Sequence, residues 1–102
     1  MSVAKPYYAE YVNHILRFYF RYDRNRGFKN DVDKTNYMSA DRVIQKLSDN
    51  DIKVLTAIYQ QDNPNLVDNV VSASKQFRED PTKIWSLISS ITTKIAKERK
   101  LL

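Results

Sequence analysis

Few residues in this chain have chemistry to offer, and their spacing narrows what that chemistry is. There is one histidine, His14, and no cysteine among 102 residues. A lone imidazole with no nucleophile, second base or metal ligand beside it is better explained by packing or surface exposure than by catalysis. The acidic pairs are Asp31/Asp33, Asp49/Asp51 and Glu79/Asp80. The last four precede or open apolar-periodic segments, where a carboxylate caps backbone N–H groups and meets the positive end of the helix dipole. Asp31 and Asp33 read as loop residues. They resemble the start of a calcium loop, but the glycine and bidentate glutamate of such a loop do not follow. Lack of cysteine excludes thiolate zinc sites, and with Gly27 as the single glycine there is no phosphate-cradling glycine loop. The expectation is a protein that is not an enzyme and uses no metal or cofactor.

The richer set lies near the C-terminus, in "DPTKIWSLISSITTKIAKERKLL". Ile84, Trp85, Leu87, Ile88, Ile91 and Ile95 recur at three- and four-residue spacing and mark an inward face. Off that face stand Thr82, Lys83, Ser86, Ser89, Ser90, Thr93, Lys94 and Lys97. Short hydroxyls near a helix start let a backbone approach phosphates closely, and Lys83 there can reach a base edge or a phosphate. Lys94, Lys97, Arg99 and Lys100 would follow the phosphate backbone or meet a neighbouring chain. Net charge supports a polyanion partner. The whole chain carries +5, with six basic and two acidic residues in 1–30, six and nine in 31–80, and five and one in 81–102. Solvated basic faces that serve solubility explain the same charge pattern.

Positioning those residues requires helices. The poverty in glycine, with prolines only at 6, 64 and 81, argues against a sandwich or barrel. Five helical segments are predicted, forming one compact all-α domain over residues 1–102. The first runs from about Tyr7 to Tyr22, with Pro6 near its start and Tyr8, Tyr11, Val12, Ile15, Leu16 and Tyr19 on one face. The basic loop "DRNRGFKND" follows, and residues 1–30 form the aromatic, basic portion of the domain. A second helix covers Lys34 to Leu47, with Tyr37, Ala40, Val43, Ile44 and Leu47 inward. Ser48 is the predicted cap of a third, with Ile52, Leu55, Ile58 and Tyr59 inward. Asn65 is placed to cap a fourth, Leu66 to Phe77, which would bury Leu66, Val67, Val70, Val71, Ser74 and Phe77. Asp80, followed by Pro81, starts the fifth.

A short helix, a tight turn and a longer helix are the parts of a helix-turn-helix unit. In "LSDNDIKVLTAIY", "DNVVSASKQF" and "TKIWSLISSITTKIAKERKLL" the chain from about 47 to 102 resembles region 4 of sigma-70-type factors. More narrowly it is similar to small sigma-like proteins of phages and integrative elements of Gram-positive bacteria. The N-terminal "YYAEYVNHILRFYFRY" also resembles the aromatic leader of those proteins. The resemblance implies a DNA-binding transcriptional regulator with Thr82, Lys83, Ser86 and Ser90 facing the groove of double-stranded DNA. In that family a small residue inside the first motif helix, a turn glycine and an apolar residue occupy the places held here by Ser74, Arg78 and Glu79. A side chain at positive φ is sterically costly, and a carboxylate fills an apolar pocket poorly. Either the turn is one residue longer, with Phe77 supplying the apolar contact, or the motif has drifted from its DNA-binding form.

The alternative is a helical accessory or inhibitor that binds a host protein, RNA polymerase included, or a nucleoprotein complex. Tyr7, Tyr11 and Phe18 would be its contact residues, because aromatic side chains dominate protein interfaces. A third reading uses Arg17, Arg21 and Arg24 on a membrane surface or RNA. No apolar run approaches the ~18 residues of a membrane span, and the first ten residues lack a signal-peptide core, so a cytoplasmic protein is expected.

Overall fold

Side-chain caps explain where four of the helices begin. A computed structural model describes residues 7–102 and contains helices α1 (Ala9–Phe20), α2 (Asp31–Ile44), α3 (Asp49–Tyr59), α4 (Leu66–Phe77) and α5 (Pro81–Glu98). No strand occurs among the described residues. Asn65 accepts from the Asp68 N–H at 3.1 Å, Ser48 from Asp51 at 3.2 Å and Asp80 from Thr82 at 2.8 Å, so all three predicted caps are in place. The predicted role of Pro6 lies outside the described residues.

The start of α2 corrects the sequence reading. Asn30 accepts from the Asp33 N–H at 2.8 Å and opens the helix three residues before Lys34. Asp31 and Asp33 therefore sit in a first helical turn, where the dipole favours them, and not in a loop. The helix also stops at Ile44, and Gln45–Leu47 form a turn closed by the Leu47 N–H on the Ile44 carbonyl at 3.0 Å.

α1 packs on α2, α3 and α5, while α5 also packs on α2 and α4, and α3 on α4. The centre is aliphatic: Val12, Ile15 and Leu16 meet Ala40 and Ile44, Leu55 and Ile58, Val70, and Ile91 and Ile95, all no more than 2% exposed. The radius of gyration is 13.5 Å, close to the ~13 Å of a compact 100-residue domain. No helix among the described residues is long and apolar enough to cross a membrane.

Two inward faces are rotated from expectation. On α4 the buried side is Asn69, Val70 and Ala73, leaving Val67 and Val71 exposed. The Asn69 side-chain amide donates to the Asn63 carbonyl at 2.8 Å, which ties this face of α4 to the preceding loop. Ser74 is only half-buried. On α5 Trp85 stands at the edge of the core, 37% exposed, while Ala96 is fully buried. On α1 Tyr11 is likewise exposed, and Tyr19 is half-buried with its hydroxyl donating to Asp41 at 2.8 Å.

Candidate nucleic-acid interface

The outward face of α5 depends on how the helix is held from behind. Ile84, Ile88, Ile91 and Ile95 fix its rotation in the core. Asp80 and Pro81 fix its start. With that rotation Thr82, Ser86, Ser90, Lys94 and Lys97 line one shallow groove along the helix, together with Trp85, Ser89 and Thr93. The four-residue steps from Thr82 to Lys94 make a continuous row roughly 18 Å long at 1.5 Å per residue. Its N-terminal end is small and hydroxylated, and its C-terminal end is cationic.

Of the eight residues expected at a DNA face, five thus come together in the groove. Lys83 is exposed in the first turn of α5, to the side of it. Lys100 is exposed just beyond the helix, in a left-handed conformation with φ 58°. Arg99 is placed differently. Its Nε donates to Oδ1 of buried Asn36 at 2.6 Å, and the Asn36 amide donates to the Tyr11 hydroxyl at 3.2 Å. Arg99 therefore ties the end of α5 to α2 and α1, and its position corrects its expected place on the outward face. The Asn36 contact first, and then Arg99, hold the Tyr11 hydroxyl below the ordinary tyrosine pKa.

The charges of the face are not neutralised within the chain. The ion pairs among the described residues are Arg21–Asp62, Arg26–Asp23 and Arg42–Glu98, so Lys83, Lys94, Lys97 and Lys100 join none. Glu98 is drawn toward α2 by Arg42 at 3.2 Å. At the other end Asp80 caps the helix, and Glu79 accepts from the Asn50 side-chain amide at 3.1 Å.

Arg78 occupies the left-handed region, φ 54° and ψ 41°, at the place where the sigma-like pattern has a glycine. The Glu79 N–H donates to the Ser74 carbonyl at 3.1 Å, and the Ser74 hydroxyl returns a bond to the Glu79 carbonyl at 2.6 Å. The first of these is the six-to-one bond of a Schellman ending. The apolar contact comes from Phe77, which packs on the core.

The aromatic residues expected at a protein interface are largely used by the chain itself. Phe18 stacks on Tyr22 and Phe28, with centroids 5.9 and 6.4 Å away. Tyr11 belongs to the Asn36 network. The Tyr7 hydroxyl donates to the Leu101 carbonyl, yet the residue remains 81% exposed. His14 is exposed on α1. Sequence periodicity missed two features of the site. The Asn36–Arg99 bond joins residues 63 positions apart and has no local signal. The outward lean of Trp85 follows from neighbours that periodicity does not report.

No protein-family model, curated protein or solved structure matches the chain.

Proposed function

We propose that the chain is a DNA-binding transcriptional regulator of a phage or mobile element. In this proposal α4 and α5 form a sigma-like helix-turn-helix, and α5 enters the major groove. The observation that carries it is the face of α5: a hydroxyl row leads into Lys94 and Lys97, with Lys83 and Lys100 nearby, and none of these lysines is in an ion pair among the described residues. Thr82, Lys83, Ser86 and Ser90 contact base edges and the nearest phosphates. Lys94, Lys97 and Lys100 contact the phosphate backbone. Much of the affinity then comes from counterion release and falls steeply with salt. Electrophoretic shift of random duplexes at two salt concentrations tests this, with Lys83→Ala and Lys94→Ala each expected to weaken binding. Absence of a shift at low salt, or equal shifts in wild type and both variants, rejects it.

A protein-binding accessory role is the second reading, favoured by the exposure of Tyr7 and of Val67 and Val71 on α4. Duplex binding indifferent to the lysine replacements, together with failure of a folded Tyr7→Ala variant to hold a host partner, would place it first.

A further inference from the structure

We propose that the cleft between α1, the α3–α4 loop and α5 is a binding site for a small uncharged aromatic molecule that carries one hydrogen-bond acceptor and one donor, as a primary carboxamide does. The cleft measures about 610 Å³, within the range of roughly 300–1,000 Å³ usual for small-molecule sites. Its apolar lining includes Leu66, Val67, Trp85 and Ile88. Two polar residues, Asn13 and Tyr59, share that lining.

These two residues define the ligand. The Tyr59 hydroxyl and Asn13 Oδ1 are buried and have no hydrogen-bond partner in the chain, and the other such atom among the described residues is Asn69 Oδ1. Buried polar atoms are nearly always paired, so two unpaired ones in a single cleft point to a partner from outside. Tyr59 is 1% exposed, and burial pushes its pKa upward, so its hydroxyl remains a donor across the physiological range. Asn13 Oδ1 only accepts. The complement is one acceptor for Tyr59 and one donor for Asn13, carried on a flat apolar body that Trp85 can cover. A net charge is disfavoured. No lysine or arginine lines the cleft to receive an anion, and its one carboxylate, Glu10, is exposed and cannot compensate a desolvated cation. Trp85, Ser89 and Thr93 belong both to this cleft and to the groove on α5, so an occupant would lie directly behind the outward face. Binding here stands independently of whether that face meets DNA.

Benzamide is the probe, with benzoate and benzamidine as shape-matched anion and cation. Trp85 is the only tryptophan, so its indole N–H resonance in a proton–nitrogen NMR titration reports the cleft. Expected is a saturable shift of that resonance with benzamide, and affinity at least tenfold weaker for benzoate and benzamidine. Tyr59→Phe keeps the ring and its packing, and should weaken benzamide about tenfold, the loss of roughly one hydrogen bond. Asn13→Ala gives a second, independent loss. Overturning results are no saturable shift in the folded wild type, a charged probe binding as tightly as benzamide, or equal benzamide affinity in wild type and both variants.

Discussion

Replacing Arg78 with glycine should stabilise the protein. Arg78 adopts φ 54° and ψ 41° at the end of α4. A Cβ in that region costs about 1–2 kcal/mol. Glycine avoids that cost but brings an unfolded-state entropy penalty of roughly 0.5–1 kcal/mol. The net gain is about 0.5–1 kcal/mol, or a rise of roughly 5 °C in Tm for a domain of this size. Arg78 is exposed and joins none of the ion pairs among the described residues, so removing its side chain costs little. Arg78→Ala is the control. It removes the same charge but retains Cβ, so its stability should fall below that of Arg78→Gly by about 1 kcal/mol. Urea unfolding followed by far-ultraviolet circular dichroism measures both, with equal m values showing that the unfolded state is comparable. Alanine as stable as glycine at this position would refute a strained turn. The Ser74–Glu79 bonds would then have to be judged sufficient to hold a right-handed alternative.

Two further outcomes follow from the interior. Asn36→Ala removes the acceptor of Arg99 Nε, a charge-assisted bond at 2.6 Å, and should cost about 2 kcal/mol. In an Arg99→Ala background the same change should cost less, and additivity in thermal unfolding of the cycle would show that the two residues do not interact. Burial raises the pKa of Tyr59 and of Tyr37, and burial followed by the Asp41 contact raises that of Tyr19. Their protonated forms are favoured by folding, so this stability is complete below the ordinary tyrosine pKa of about 10 and drains as pH rises through the folded values. Ultraviolet titration should therefore show these tyrosines ionising late, together with loss of helical signal. Reversible ionisation of all seven near pH ~10 with helices intact would contradict it.

Much of the fold was legible because it is written locally. Ser48, Asn65 and Asp80 are caps whose partners lie two or three residues away, and the isoleucines of α5 repeat on one face. Asn30 is the same kind of signal, but it was obscured by the two aspartates that follow, which read equally as loop or first turn. The α4 face turned on Asn69, whose amide bonds outside its own helix to Asn63, so a polar residue sits inward and two valines outward. Five of the candidate DNA contacts share one face because a helical row follows directly from residue spacing. Arg99 could not be placed that way. At the end of α5, spacing leaves a basic side chain free to point outward, and only buried Asn36, far away in sequence, draws it in. The cleft behind Trp85 was equally illegible, since it is formed by α1, the α3–α4 loop, α4 and α5 together.

The most direct test of the central claim is the salt dependence of duplex-DNA binding for single alanine variants of the exposed lysines. Removing one lysine–phosphate interaction should make the slope of log affinity against log salt shallower by about 0.9. Lys83→Ala, Lys94→Ala and Lys97→Ala should each show that reduction. Arg99→Ala, measured where it remains folded, should leave the slope unchanged, because its guanidinium is held by Asn36. A slope that is unaffected by the three lysine variants, or that drops only for Arg99→Ala, would contradict the assignment of the outward face of α5 to DNA.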